Sequence, residues 1–573
     1  MLKHPELILV AAALLPVLLV VRKVRVTGPY SLTRIAHWRT RRRPVVVWRD
    51  GPFLGWTRSI LGLTRWAFGS REDTVAIVGP PRISGKTAGI VIPQAAMWDG
   101  ALVTTSTKPD VLHFTAPRRQ ELAERHGGRI YVYAPTAAGP VEGIEPMRWS
   151  PLAGCEDPLI AAARVDALVQ VANVGKNVEN ADHWRSGAAR ILRAYFLAAT
   201  HHPTHAGDFA LVTRWISLQE FNEPLTILTN LRVEGAQDWA ADLLGIAQRT
   251  NDKERSSFFA AASTSLKVTA IPRVLRSCSA TDIDPEEFIR TRSTLYVISP
   301  SELQTQLAPL CAALVESIVY AAYRLHDAYG RPRTSAVAAT VRFASNLWRL
   351  VTGQQPLPAA DAEWPARLLL QLDELTNIAP VPSLESIVSQ GAGRGVLICW
   401  IVQSLAQLRN RYGDATADAI WSASTCKVVF GGLADGPTLD HISRLIGDHK
   451  VPTRTVNTGA EGRRTETRGH EWRPRLAPSQ LRELRRKWAV LLYHHRKPVA
   501  VRVPIAARKW RMRQAVIEWS GAAILRPGTQ PAPVRPAQPA TWPEVRPRVV
   551  HLEEPPAGAG TGASANGSAE VEG

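Results

Sequence analysis

Apolar positions fall into two textures along this chain. Short apolar runs without strict alternation occur at Thr74–Val78, Ala101–Thr105, Arg129–Tyr133, Thr294–Ile298, Leu368–Asp373, Val396–Val402, Lys427–Phe430, Trp488–Tyr493 and Val499–Val503. Strands covered on both faces, as in parallel sheets, have this composition. From about Pro151 to Asp284 helical periods replace it: Pro158–Val174, Trp184–Thr200, Phe209–Glu220, Trp239–Arg249 and Glu254–Thr269. The pattern predicts an α/β doubly wound sheet, 73–150 and 285–526, with a domain-sized all-α insertion, 151–284, between two of its strands.

The remaining stretches lack either texture. Leu7–Val21 is an uninterrupted apolar run containing Pro16. At 1.5 Å per residue it spans roughly 22 Å, short of the ~30 Å hydrocarbon core. Arg22, Lys23, Arg25, Arg34, Arg39 and Arg41–Arg43 follow it. A positive flank on the C-terminal side predicts a short N-terminal membrane anchor, 1–25, with the bulk of the chain cytoplasmic. The basic stretch 26–72, with Trp48, Trp56 and Trp66, is expected to lie against anionic headgroups. Thr334–Trp364 reads as a small second insertion, Asn457–Trp472 as a polar flexible loop, and 527–573 as a disordered tail rich in Pro, Ala and Gly.

Chemistry concentrates at three places. In Thr74–Thr87, TVAIVGPPRISGKT, a β-branched run meets a Gly-Pro turn, then Ser84-Gly85-Lys86-Thr87 and a helix start. Strand, loop and helix in that order form a phosphate cradle: loop N–H groups point at phosphate oxygens, the lysine reaches the β/γ-phosphates, and the next hydroxyl holds Mg²⁺. Gly79, Pro80, Ser84, Gly85, Lys86 and Thr87 are the candidate nucleotide-binding residues. The loop is one residue longer than the regular spacing, because Pro80 stands where the first glycine belongs and Ile83 is the extra residue. Next, Leu368–Leu372 ends in Asp373-Glu374. After a phosphate cradle, such a pair supplies a carboxylate for the Mg²⁺ shell, Asp373, and one that polarises the attacking water, Glu374. Alone, Asp-Glu also suits a solvated helix N-terminus. Finally, the strand Val396–Val402 ends at Gln403, whose amide can sense a γ-phosphate or orient water. Arg394, just before that strand, is either an arginine finger for a neighbouring subunit or a structural surface arginine.

Composition adds the class of partner. The 573 residues are 45% hydrophobic and 21% charged, a globular balance, with a net charge of +19. Such an excess fits a polyanion, nucleic acid or an anionic lipid surface. The five cysteines, Cys155, Cys278, Cys311, Cys399 and Cys426, are scattered, which points to a reduced compartment without a structural metal. His201-His202-Pro203-Thr204-His205 reads as a polar loop after a helix rather than a metal cluster.

Taken together, these motifs resemble the TraG/TraD-like type IV coupling proteins, the membrane-anchored ATPases of conjugation and type IV secretion. The resemblance runs from about Val75 to Arg508. It rests on Gly79–Thr87, on Thr104–Asp110, on Trp149-Ser150-Pro151 and Asp182-His183-Trp184, and on Leu372-Asp373-Glu374 with Asn377 and Pro380. It rests most specifically on Gly393-Arg394-Gly395, Gln403-Ser404, Gln407-Leu408 and Tyr412-Gly413, followed by Phe430–Leu433 and Ile446-Gly447. It implies a RecA-like P-loop motor, using ATP and Mg²⁺ at subunit interfaces of a homo-hexamer on the inner membrane face. By the same resemblance, the partners are DNA, a relaxase or other secreted protein cargo, and a membrane export channel. The helical insertion would meet the relaxase–DNA complex. The alternatives are a translocase of the FtsK or HerA type acting without a channel, and a nucleotide-binding scaffold with little turnover.

Overall fold

The computed structural model describes residues 51–58, 64–81, 84–172, 180–329, 367–458 and 464–503. The expected anchor, Ile83, the second insertion and the tail lie outside the described residues. So do most of the basic stretch and the tip of the expected loop at 459–463.

Thirteen strands occur in chain order: β1 Phe53–Arg58, β2 Thr64–Phe68, β3 Val75–Val78, β4 Ala101–Ser106, β5 Ile130–Tyr133, β6 Thr294–Ile298, β7 Leu368–Leu372, β8 Val396–Val402, β9 Cys426–Phe430, β10 Asp448–Thr458, β11 Arg464–Pro474, β12 Trp488–Tyr493 and β13 Val499–Arg502. Eleven of them form one sheet, in the order β2-β1-β13-β12-β9-β3-β8-β7-β4-β6-β5. From β9 to β5 every pairing is parallel, and from β12 outward to β2 every pairing is antiparallel. The nine expected strands are all present. The parallel ones lack alternation because both faces are covered: β3, β4, β6, β7 and β8 are buried along their whole length.

Successive side chains point to opposite faces. Ala76, Val78, Trp400 and Val402 enter one core, and Val75, Ile77, Cys399 and Ile401 enter the other. The first of these cores continues into the helices that follow β5. Between β5 and β6 the described residues form no strand of the sheet but a succession of helices, among them Pro158–Val171, Ala181–Thr200, Ala236–Arg249 and Asp252–Ser265. Asp157, Asp208, Asn251 and Asp284 each accept a backbone N–H at a helix start. Such caps satisfy donors that a helix leaves open.

After β6 comes the long helix Gln304–Tyr329. Among the described residues it alone is long and apolar enough to cross a membrane, but its most apolar window is 72% buried inside the protein. Leu307, Leu310, Leu314 and Ile318 are fully buried, so the helix is a core element of the fold.

Two expectations are corrected. Residues 53–58 and 64–68, assigned to the basic membrane-facing stretch, form the antiparallel pair β1–β2 at one end of the sheet. Phe53 and Leu54 are buried there, and Trp56 pairs with Arg502 of β13 in the backbone register. Residues 457–458 and 464–472, read as part of a flexible loop, belong to a second sheet, the long ribbon β10–β11. Neither of its faces enters a core cluster, so no apolar period marks it.

Candidate active site

The chain reverses direction tightly where β3 ends. Gly79 N–H donates to Val402 O at the tip of β8 (3.2 Å). A side chain at Gly79 would bring its Cβ to 2.9 Å from Phe430 Cβ, so only glycine lets the loop pass the end of β9. Ser84 Oγ closes the turn by donating to Pro80 O (2.9 Å), and Gly85 takes a positive φ of 76°. A widened π turn over Thr87–Val91 then opens the helix Ile92–Met97. The π turn leads into that helix continuously: Gly89 N–H donates to Gly85 O (2.9 Å) and Ile92 N–H to Thr87 O.

Lys86 folds back into this cradle. It is 8% exposed, and Nζ donates to Gly79 O at 2.8 Å. Beside it, Thr87 Oγ1 donates to Asp373 Oδ2 at 2.9 Å across the sheet edge. Asp373 lies just past β7, where Thr105 Oγ1 donates to its carbonyl (2.7 Å) and its Oδ1 accepts Glu374 N–H (3.1 Å). Glu374 itself sits in the left-handed region, φ 52° and ψ 43°. That conformation costs a side chain roughly 1–2 kcal/mol. In this turn Glu374 Oε2 accepts from Gln304 Nε2 at 3.5 Å.

Charge in this cluster is poorly solvated. Burial lowers the Lys86 ammonium below its ordinary value, and Asp373 and Glu374 restore only part of it. Burial likewise pushes the Asp373 carboxyl up, against the opposing pull of Lys86 and the Thr87 hydroxyl. Two buried opposite charges that only partly compensate each other suit a site built to receive further charge. Thr87 Oγ1 and the Asp373 carboxylate form an all-oxygen donor set, the chemistry a hard divalent cation such as Mg²⁺ takes. Lys86 and the helix N-terminus are the matching donors for phosphate.

Gly79, Pro80, Ser84, Gly85, Lys86, Thr87, Asp373, Glu374 and Gln403 therefore gather at one edge of the sheet, the C-terminal ends of β3, β7 and β8. Gln403 is half-buried there, its N–H donating to Gln407 Oε1 (3.1 Å). Arg394 is not brought to that edge within its own chain. It precedes β8 at the opposite end, bonded to Asp327 with its guanidinium 4.0 Å from the Tyr323 ring centroid. One residue at the edge carries no sequence signal of a site: Gln304 arrives on the helix after β6. Phe430, which floors the loop from β9, was visible only within the family motif Phe430–Leu433. Thr105 was visible only as part of a family turn. Among the histidines, His202 is buried and bonded to Glu223 (2.9 Å). All five cysteines are buried and free.

The family described as "Type IV secretory system Conjugative DNA transfer" matches residues 48–338. The chain belongs to this family. A second family match of these conjugative DNA transfer proteins, "TraM recognition site of TraD and TraG", covers residues 367–486. Curated relatives agree. A conjugal transfer protein TraG of Agrobacterium fabrum is 24% identical over 70% of this chain and 55% of its own length. Protein VirD4 of Rhizobium rhizogenes is 22% identical over 79% of this chain and 61% of its own. The chain thus spans somewhat over half the length of the curated relatives it matches. In fold, it is similar to the bacterial conjugative coupling protein TrwBdeltaN70, with a TM-score of 0.50 and 16% identity over 76% of this chain and 85% of that one. The TraG/TraD-like resemblance of the motifs is therefore established at the level of family, and the α/β architecture at the level of fold.

Proposed function

We propose that this conjugative DNA transfer protein is an ATP-driven coupling protein, which recruits DNA or a relaxase–DNA complex and delivers it to a membrane export apparatus. The observation that carries the reading is the contact between Thr87 and Asp373, with Lys86 buried beside them. It unites two motifs 286 positions apart into one phosphate-and-metal edge.

In this reading Lys86 and the loop N–H groups hold the ATP phosphates, and Thr87 and Asp373 hold Mg²⁺. Held by Thr87 and Asp373, a divalent cation would supply positive charge to offset the negative charge of the ATP phosphates. Glu374 takes a proton from the attacking water, held in its turn by the left-handed backbone and by Gln304. Gln403 reports the γ-phosphate to β8 and, through Gly79 and Val402, to the loop. Arg394 reaches a nucleotide only from a neighbouring copy, so its finger role requires the homo-hexamer. The domain division, an anchor 1–25, an all-α lobe 151–284 and a motor that takes in strands β1 and β2 with 73–150 and 285–526, is part of the same proposal. So are the cytoplasmic placement against an anionic membrane and the lobe's contact with a relaxase or other protein cargo.

Transfer itself tests the proposal. In donor cells whose own copy of the gene is deleted, wild-type chain should restore conjugative DNA transfer, and Glu374→Gln accumulated to the same level should not. Equal transfer with the two chains would overturn the motor reading.

A further inference from the structure

The excursion between β9 and β12 leaves the nucleotide edge of the sheet and returns to it. It departs through Gly431-Gly432, where a Cβ on Gly432 would lie 3.3 Å from Pro80 of the phosphate loop. It closes by Gly432 N–H to Arg482 O (2.8 Å) and Ser443 Oγ to Leu476 O (2.6 Å). Between these ties stands the β10–β11 ribbon, paired from Asp448↔Pro474 at its base to Thr458↔Arg464 towards its tip. At about 3.3 Å per residue the arm is roughly 33 Å long. Its strands pair only with each other. A lone two-stranded ribbon has marginal stability in water.

The register sorts its side chains. Lys450 opposes Trp472, Pro452 opposes His470, Arg454 opposes Arg468 and Val456 opposes Glu466. All eight are on one face and all are exposed. On the other face His449, Val451, Thr453 and Gly469 are half-buried, while Thr467, Glu471 and Arg473 are exposed. The eight positions on the first face carry three fixed cations and one carboxylate, and the exposed Asp448 adds a second carboxylate at the base of the same face. Trp472 is 62% exposed, and Lys450 Nζ is 5.2 Å from its ring centroid. Glu466 bridges Arg454 and Arg468, both at 2.8 Å, and holds the two guanidinium groups side by side.

We propose that this face of the ribbon binds single-stranded DNA, with Trp472 stacking on an unpaired base and Lys450, Arg454 and Arg468 taking phosphates. An aromatic plane set among cations on an open strand surface is the recognition chemistry of unpaired nucleic acid. A protein partner would call for a desolvated apolar centre, and around Trp472 the neighbours on this face are Lys450, Asp448, His470, Pro452 and Pro474. A duplex could admit the ribbon to its major groove but offers the indole no open base face. The inference rests on the reading that the chain handles DNA, and assigns that contact to a particular surface.

The test is anisotropy of a fluorescein-labelled oligo(dT) with the full-length chain, between 50 and 200 mM salt. Trp472→Ala should weaken binding by about fivefold or more, the loss of one stacked base. Arg454→Ala with Arg468→Ala should weaken it and lower the salt slope by about 1.4, two phosphate contacts at roughly 0.7 each. Glu466→Gln should tighten binding, a gain that misfolding cannot produce, while Thr453→Ala on the other face should leave it unchanged. Wild-type affinity in both weakened variants would overturn the proposal. So would loss confined to duplex DNA or to phosphatidylglycerol vesicles. A wild-type chain that binds no DNA at all would overturn this proposal and the functional reading together.

Discussion

Replacing Lys86 by alanine should separate stability from ligand binding. In the folded chain the ammonium is buried with Gly79 O as its hydrogen-bond acceptor, and burial holds its pKa below the ordinary lysine value. Removing it abolishes a desolvated charge but also takes from Asp373 its opposing cation. These effects have opposite signs, so unfolding without nucleotide should shift by no more than about 1 kcal/mol either way. With nucleotide the loss is one-sided. A charge-assisted contact to phosphate is worth about 1.5–3 kcal/mol, so a 2 kcal/mol loss weakens affinity roughly 30-fold. At a ligand concentration of 100 times the wild-type Kd, the wild type gains about 2.7 kcal/mol from binding. The variant at the same concentration gains about 0.9 kcal/mol, a third as much. Urea unfolding with and without a non-hydrolysable ATP analogue and Mg²⁺ reads both numbers. An unchanged ligand increment, together with a loss of more than about 2 kcal/mol in ligand-free stability, would show Lys86 to be a structural residue.

Glu374→Gln should retain nucleotide binding and lower the rate of phosphate release by about 10²–10⁴-fold, the usual worth of a positioned general base; an unchanged rate excludes that role. Asp73, at the far edge of the sheet, gives an acid-stability prediction. Burial alone would raise its carboxyl, but hydrogen bonds from Ser70 N–H, Tyr493 Oη, His494 Nε2 and Thr425 Oγ1 outweigh burial and hold it below the ordinary value. Its contribution is therefore present above the ordinary carboxylate range and is lost as pH falls below about 4. Asp73→Asn should flatten that part of the stability–pH curve and cost about 2–4 kcal/mol at neutral pH, measured by urea unfolding. Gly395→Ala should destabilise by a similar amount. At φ 80° its Cβ would lie 1.9 Å from His326 Nε2, and denaturation midpoints check it.

What the sequence revealed and what it hid divide along physical lines. Buried parallel strands announce themselves as apolar runs, and β7 followed by Asp373-Glu374 could be aligned with the Gly85-Lys86-Thr87 loop without coordinates. Edge elements do not announce themselves in this way. β1 and β2 mix Trp, Thr and Arg, because an edge pair needs only partial cover, and basic residues there resemble a membrane-facing stretch. The β10–β11 ribbon has no core face, so its Thr and Val content carried the only strand signal, and its charges masked it. Gln304 was hidden for a different reason. It reaches Glu374 because β6 and β7 both flank β4, a relation of sheet order rather than of spacing. Arg394 shows the converse, a residue prominent in sequence whose own chain holds it at the opposite edge, against Asp327 and Tyr323.

The central claim is that the Lys86, Thr87, Asp373 and Glu374 edge turns over ATP to move DNA. The direct measurement is steady-state phosphate release by the purified full-length chain, with and without single-stranded DNA, beside Lys86→Ala and Glu374→Gln. The account predicts hydrolysis by the wild type that rises when DNA is added and is lost in both variants. Hydrolysis equal in all three proteins, or absent from the wild type with DNA present, would contradict it.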